Sequence, residues 1–180
     1  MQIITKIKAY LNDQKEKRFW RFPDQFIAVI QLNDNVKVYA IVKNGLARLD
    51  RIPKPETGYS YLDIIEIQGP VAKEMFRDDE INVYKALNII KKSNRPTFTF
   101  KAILPDKRDY FYLLQAFEDF KQKAEFPWST TDNNLTWRKG YCTAESIQQA
   151  EQILSDFCKK DSRRKFRDLN NWDYYLTLKK

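Results

Sequence analysis

Three side chains in the first half of the chain could assemble a metal-dependent site for phosphodiester cleavage. Asp50 closes the apolar segment LARLD, and Glu66 and Gln68 stand two residues apart in YLDIIEIQ. Residues two apart in an extended strand point to the same face, so Glu66 and Gln68 share one. Carboxylates on neighbouring strands can hold Mg²⁺, which gathers charge around a scissile phosphate. The sequence therefore offers nucleic-acid cleavage with Mg²⁺ as one hypothesis.

The order of these residues resembles the core of the PD-(D/E)xK nucleases. The resemblance covers about residues 3–103 and implies an αβββαβ core, in which an Asp and a Glu hold Mg²⁺ beside a lysine. Asp50 and Glu66 take the acidic positions, whereas Leu49 replaces the family's proline. Gln68 stands where the family has lysine, and some members carry glutamine there. The alternative interpretation is that the carboxylates mark the solvated face of an edge strand.

The chain contains no histidine, and this removes a large part of the catalytic repertoire. Ser-His-Asp and Cys-His arrangements need an imidazole base, and many zinc sites need a histidine ligand. The four glycines form neither a G-x-G-x-x-G nor a Walker A loop, so no nucleotide cradle is recognisable. Cys142 and Cys158 flank a predicted helix, whose ends lie more than about 20 Å apart. We therefore expect two free thiols, as in a reducing cytoplasm.

Positive charge is concentrated near the end of the chain. The formal net charge is +8 with a pI near 9.3, and six cations fall within the nine residues 159–167. Two or three would suffice to stabilise a helix C-terminus, so the excess predicts binding of a polyanion. The predicted contacts are Lys159, Lys160, Arg163, Arg164, Lys165 and Arg167.

A second basic stretch, KEKRFWRF over residues 15–22, interleaves cations with aromatic rings. Cations neutralise phosphates and aromatic rings stack on unpaired bases, so this stretch also fits nucleic acid. Its candidate contacts are Lys15, Lys17, Arg18 and Arg21. In the other interpretation, its aromatic side chains anchor the segment onto a sheet.

The hydrophobic periodicity and turn signals of the chain predict an α+β fold. They favour a single domain over residues 1–180, with candidate lobes at 1–69 (β-rich) and 70–180 (α/β). Strands are expected over 26–32, 36–43, 46–52 and 59–68, after an amphipathic helix over 3–11. Asn44 and Gly45 predict a hairpin, so these strands should begin as an antiparallel meander.

The remainder of the chain is expected to alternate helices and strands. Three longer helices are predicted, from Asp78 or Asp79 to Lys92, from a cap at Asp106 to about Ala124, and after a cap at Thr143. The predicted strands between and after them cover 96–104, 135–142 and 172–178. The sheet should be mostly antiparallel, with the helices in the C-terminal two-thirds.

Three functions follow, of which the first is preferred. The first is a non-enzymatic nucleic-acid-binding protein of the cytoplasm that needs no cofactor, and the second is the nuclease, for which Mg²⁺ is the only metal. The third is a protein-binding inhibitor or immunity-type module that docks on an acidic partner, since aromatic residues suit interface hot spots. No apolar run approaches the roughly 18 residues of a membrane span, so a membrane partner is not expected. The pattern leaves the oligomeric state open.

Overall fold

The computed structural model describes Trp20 and residues 25–34, 36–76, 78–126 and 137–172, which form two sheets. The predicted helix over 3–11 and all but the first residue of the predicted strand over 172–178 lie outside these residues. Residues 92–96 connect the two sheets along the chain. The suggested lobe boundary near residues 69–70 lies inside a strand that covers 64–76. Neither of the described helices is long and apolar enough to span a membrane.

The first sheet is a closed barrel. Its strands are β1 (Phe26–Asn33), β2 (Val36–Lys43), β3 (Leu46–Leu49), β4 (Ile64–Phe76) and β5 (Asp79–Lys91). Neighbours along the chain pair antiparallel, and because the number of strands is odd, β1 and β5 close the ring in parallel. Asn44 and Gly45 have φ of 50° and 75°, as the predicted hairpin requires. The N-terminal meander is therefore confirmed.

The barrel interior is filled by apolar side chains from alternating strand positions. The fully buried members are Ala28, Ile30, Ala40, Ala47, Leu49 and Ile65. Alternation on each strand sends one set of side chains inward and the other outward. Arg48, which lies between Ala47 and Leu49, therefore points out of the barrel, at the side where the second sheet packs.

The second sheet carries two helices on one face. Its elements are β6 (Thr97–Ile103), α1 (Lys107–Glu118), β7 (Ala124–Glu125), β8 (Arg138–Thr143), α2 (Ile147–Lys159) and β9 (Lys165–Asn171). The strand order is β7-β8-β6-β9 with every pair antiparallel, which is a split β-α-β arrangement. Phe98 and Phe100 of β6 pack with Leu113, Phe117 and Leu154 of the helices. Neither of the described helices packs on the other face of this sheet.

Both helices begin at residues suited to capping. The Asp106 carboxylate accepts from the Arg108 amide at 2.7 Å, and Asp109 completes a capping box. The cap predicted at Asp106 is therefore present. The cap predicted at Thr143 is wrong, because Thr143 ends β8 and Ser146 caps α2.

The prediction of three longer helices is also wrong, since the described residues contain two. The segment from Asp79 to Lys92 was expected to be helical because Ile81, Tyr84, Leu87 and Ile90 recur every three residues. It is instead β5, which runs antiparallel to β4 along most of its length. The same segment also alternates at period two and is rich in β-branched residues, which favour strands. The segment fits both a helix and a strand by periodicity, and pairing with the long strand β4 favours the strand.

Candidate functional site

A basic cleft of about 820 Å³ lies where the barrel meets the second sheet. Among the described residues, six cations and two carboxylates line it. The cations are Arg48, Lys91, Lys92, Arg95, Lys121 and Lys123. The carboxylates are Asp50 and Glu118. An excess of one sign of charge in a cleft with low-dielectric walls concentrates counterions, so this cleft attracts anions.

The cations reach the cleft from three separate parts of the chain. Arg48 projects outward from β3, while Lys91 and Lys92 stand at the end of β5. Lys121 and Lys123 come from the loop between α1 and β7. No single segment of the sequence therefore contains the site.

The turn after α1 holds Lys121 in an unusual conformation. The Gln122 amide donates to the Phe117 carbonyl at 2.9 Å and the Lys121 amide donates to the Glu118 carbonyl at 2.7 Å. This is the Schellman pattern, in which the residue before the last amide is left-handed and usually glycine. Lys121 occupies that position with φ of 58°. The backbone therefore carries strain at a residue that lines the cleft.

Arg95 joins the two sheets across the cleft. Its Nη1 donates to the Lys121 carbonyl at 2.6 Å and to Gln122 Oε1 at 2.9 Å. Gln122 is buried and also accepts from the Thr143 hydroxyl at 3.2 Å. Arg95 thus contributes charge and also fixes the α1–β7 loop relative to the barrel.

The buried carboxylate of Asp63 organises the barrel side. It accepts from the backbone amides of Ser60 at 2.8 Å and Ser93 at 2.7 Å. Lys92 donates to the Gly58 carbonyl and lies 3.6 Å from Asp63. Because Asp63 is fully buried, its role is to hold the loops that carry Lys92 and Ser93.

Two further side chains of the lining, Tyr61 and Arg48, can donate hydrogen bonds. Burial, followed by the neighbouring Asp50 carboxylate, raises the pKa of the Tyr61 phenol above its ordinary value. The phenol therefore stays protonated at neutral pH. The Nε of Arg48 is buried without a hydrogen-bond partner in the described part of the chain, and its guanidinium lies 5.0 Å from the Trp20 ring centre. Arg48 lines the cleft and adds its positive charge there.

The structure divides the basic segment 159–167 among different roles. Arg164 is 10% exposed and donates through Nη2 to Asp109 at 2.6 Å, with its guanidinium 4.5 Å from the Phe157 ring centre. It therefore ties α1 to α2. Arg163 forms two bonds to Asp161, and Lys159 donates to Asp156 at 2.8 Å.

The remaining cations of that segment are exposed but do not gather at one place. Lys160 caps the end of α2, whereas Lys165 and Arg167 lie on β9, a strand that was not predicted. The candidate contacts Lys15, Lys17, Arg18 and Arg21 lie outside the described residues.

Asp50 and Glu66 do not come together. Glu66 pairs in register with Leu46 at the start of β3, whereas Asp50 follows the end of that strand, about 13 Å away at strand spacing. Glu66 Oε2 instead accepts a hydrogen bond from Asn88 Nδ2 at 3.0 Å. Gln68 of β4 pairs in register with Lys85 of β5. The helix that the nuclease resemblance implies after this point is β5. No cluster of three metal-ligating side chains is present among the described residues.

The cleft residues Lys91, Lys92 and Arg95 have a signal in the sequence, the run KKSNR. From the sequence alone, cations at the end of a helix predicted to reach Lys92 are explained by the negative end of its dipole. Since that segment is a strand, no helix dipole accounts for them. Lys121 and Lys123 carried no distinct signal.

No protein-family model, curated protein sequence or solved structure matches the chain. The function is therefore argued from the geometry of the described residues.

Proposed function

We propose that this protein binds nucleic acid and that the basic cleft holds part of the phosphate backbone. The observation that carries the proposal is the convergence of six cations against two carboxylates at the junction of the two sheets. Phosphate contacts by lysine and arginine supply most sequence-independent affinity for nucleic acid, through release of condensed counterions.

The dimensions of the cleft favour a polyanion over a single small anion. Its cations line a space of about 820 Å³ from both sheets, so they cannot all converge on one phosphate. Ion pairs between the cleft's lysines and nearby carboxylates reduce the positive charge of the cleft only in part. Lys123 lies 4.0 Å from Asp50, and Lys92 lies 3.6 Å from Asp63. A chain of phosphates can use cations spread over a surface of this kind.

The C-terminal segment is proposed as a secondary contact. Lys160, Lys165 and Arg167 are exposed cations outside the cleft, whereas Arg164 is committed to Asp109. Arg163 and Lys159 are paired with acidic neighbours, which lowers the charge they offer.

The test is a titration of fluorescently labelled single-stranded DNA, duplex DNA and RNA at several salt concentrations. If about six phosphates are contacted, the logarithm of single-strand affinity should fall with a slope near −4 against the logarithm of salt. That slope corresponds to a loss on the order of 300-fold between 50 and 200 mM salt. Absence of binding to all three probes at 50 mM salt overturns the proposal.

Two double variants test whether the cleft is where nucleic acid binds. The double substitution Lys121→Gln and Lys123→Gln should weaken binding about 20-fold at 100 mM salt and make the slope shallower by about 1.4. The matched control is Lys85→Gln with Lys107→Gln, which removes two exposed lysines outside the cleft. Equal losses in both variants would show that net charge acts without the cleft.

A further inference from the structure

The face of the second sheet opposite its two described helices carries an ordered set of cations and aromatic rings. Phe98, Phe100 and Ala102 of β6 point to the helices, so Thr99 and Lys101 point to the other face. We call this other face the stacking face and define it by six residues. They are Lys101, Trp137, Lys139, Tyr141, Arg167 and Trp172.

Three cations lie side by side across the middle of the stacking face. Lys101 is directly opposite Lys139 of β8 on one side and Arg167 of β9 on the other. Like charges directly opposite each other destabilise a sheet. Asp168 is 2.9 Å from Lys101 and 3.7 Å from Arg167, and the hydrogen bond from Lys101 lowers the pKa of its carboxyl. A single carboxylate shared by Lys101 and Arg167 offsets their charge only in part, so this part of the face still attracts an anion.

Aromatic rings border these cations in already formed stacks. Tyr141 and Trp172 are stacked with ring centres 4.0 Å apart and planes 12° apart. The guanidinium of Arg167 lies 4.1 Å from the Trp137 ring centre. The Arg167 side chain remains 51% exposed, so its planar group is accessible to a ligand.

Trp137 and β8 place aromatic and cationic side chains alternately on the stacking face. Trp137, Lys139 and Tyr141 occupy every second position, so they share a face at intervals of about 7 Å. The order on that face is aromatic, cation, aromatic. A nucleic-acid strand likewise alternates planar bases with phosphates, and rings and arginine planes both stack on bases.

The barrel borders this surface at the β7 margin. Arg51, in the segment after β3, lies 3.6 Å from Glu125 of β7. Both described helices pack on the opposite face of the sheet, against the side chains of β6 that point away from Lys101.

We propose that the stacking face binds single-stranded nucleic acid. Bases stack on the outer surfaces of Trp172 and the Arg167 guanidinium, while phosphates contact Lys101 and Lys139. This inference rests on the proposed function, because it assumes a nucleic-acid ligand, and it adds the preference for an unpaired strand. A duplex conceals the faces of its bases and cannot make these stacks.

The decisive variant is Arg167→Lys, which keeps the charge and removes the planar group. Its affinity for labelled dT12 and rU12 should fall about fivefold, the lower end of the range for loss of one stacked base. Its affinity for a 12-base-pair duplex should stay within twofold. Trp172→Ala should weaken single-strand binding about tenfold with the same selectivity. Arg163→Lys is the matched control, because Arg163 is exposed and lies outside the stacking face.

The outcomes separate this inference from the function on which it rests. If wild type binds duplex and single strands equally and neither variant changes this, the stacking face is refuted while the cleft proposal stands. If wild type binds no probe, both fail. Circular dichroism confirms that Trp172→Ala is folded, and Arg167→Lys supplies the answer if it is not. The dT12 and rU12 arms show whether the ligand is DNA, RNA or either.

Discussion

Lys121 adopts a left-handed backbone conformation that a side chain with a Cβ enters at a cost of about 1–2 kcal/mol. Leu62, which also lines the cleft, has φ of 66°. Strained backbone is retained where the surrounding structure enforces it, and it gathers at functional sites. At the C-terminal turn of α1 a glycine would satisfy the same hydrogen bonds without strain.

We therefore expect Lys121→Gly to stabilise the fold and weaken binding. The free energy of unfolding should rise by about 0.5–1 kcal/mol, since glycine relieves the strain but gains entropy when unfolded. Affinity for nucleic acid at 100 mM salt should fall about fivefold through loss of one phosphate contact. Urea denaturation and fluorescence anisotropy measure the two effects. Lys121→Gln should show the loss of affinity without the gain in stability, and a destabilised Lys121→Gly would contradict this account.

Single residues also show where prediction from sequence ended. The Asn44-Gly45 turn and the Asp106 cap were predictable because each depends on local backbone geometry. Arg163 and Arg164 are identical in type and adjacent, yet one is exposed beside Asp161 and the other is buried against Asp109. Asp109 lies 55 residues away in the chain. No local pattern distinguishes the two arginines.

The elements of the second sheet depend on a close approach at Gly140. A Cβ at this position would lie 2.6 Å from Cζ of Phe100 and 2.9 Å from its Cε1. The Phe100 ring therefore lies directly over the β8 backbone, where it also packs near Phe117 and against Phe126. β8 carries Lys139 and Tyr141 of the stacking face, so its position relative to β6 matters for the proposed binding.

Gly140→Ala should destabilise the protein by about 1–3 kcal/mol, the usual effect of overpacking a core. Phe100→Leu should also destabilise on its own, because it leaves space beneath the helices. The double variant should be more stable than the sum of the two effects, since the added methyl then fills that space. Thermal and urea denaturation of the four proteins measure this coupling. Strict additivity would indicate that Phe100 does not restrict residue 140.

At the level of elements, the sequence predicted the approximate positions of β1 to β4, β6, β8 and α1, and it failed for β5. Ile81, Val83 and Ile89 fit a strand, while Ile81, Tyr84 and Leu87 fit a helix. The choice depended on pairing with β4 and on the parallel register of Val29 with Val83. Both are contacts distant in sequence. The same difficulty affected β9, whose residues were interpreted as a charged surface segment.

The basic cleft exists only at the scale of the whole molecule. Its cations lie near residues 48, 91–95 and 121–123, and the two sheets bring them together. Net charge predicted a polyanion ligand, but it could not predict where positive charge converges. Arg95 is the residue whose hydrogen bonds join the 92–96 segment to the loop carrying Lys121. The contribution of Arg95 to nucleic-acid affinity should therefore exceed that of its positive charge alone.

Substitution of Arg95 by lysine tests this bracing role without changing net charge. Lysine cannot reproduce the fixed planar fork of arginine, so at least one of the bonds to the Lys121 carbonyl and Gln122 should be lost. Loss of one charged hydrogen bond corresponds to about 1.5 kcal/mol, and we expect roughly tenfold weaker binding. The slope of affinity against salt should stay unchanged, and amide exchange over residues 118–123 should quicken. Arg108→Lys, at an exposed position near the start of α1, is the control. Unchanged affinity would contradict the bracing role and reduce Arg95 to its charge, and a shallower salt slope would show that lysine no longer reaches a phosphate.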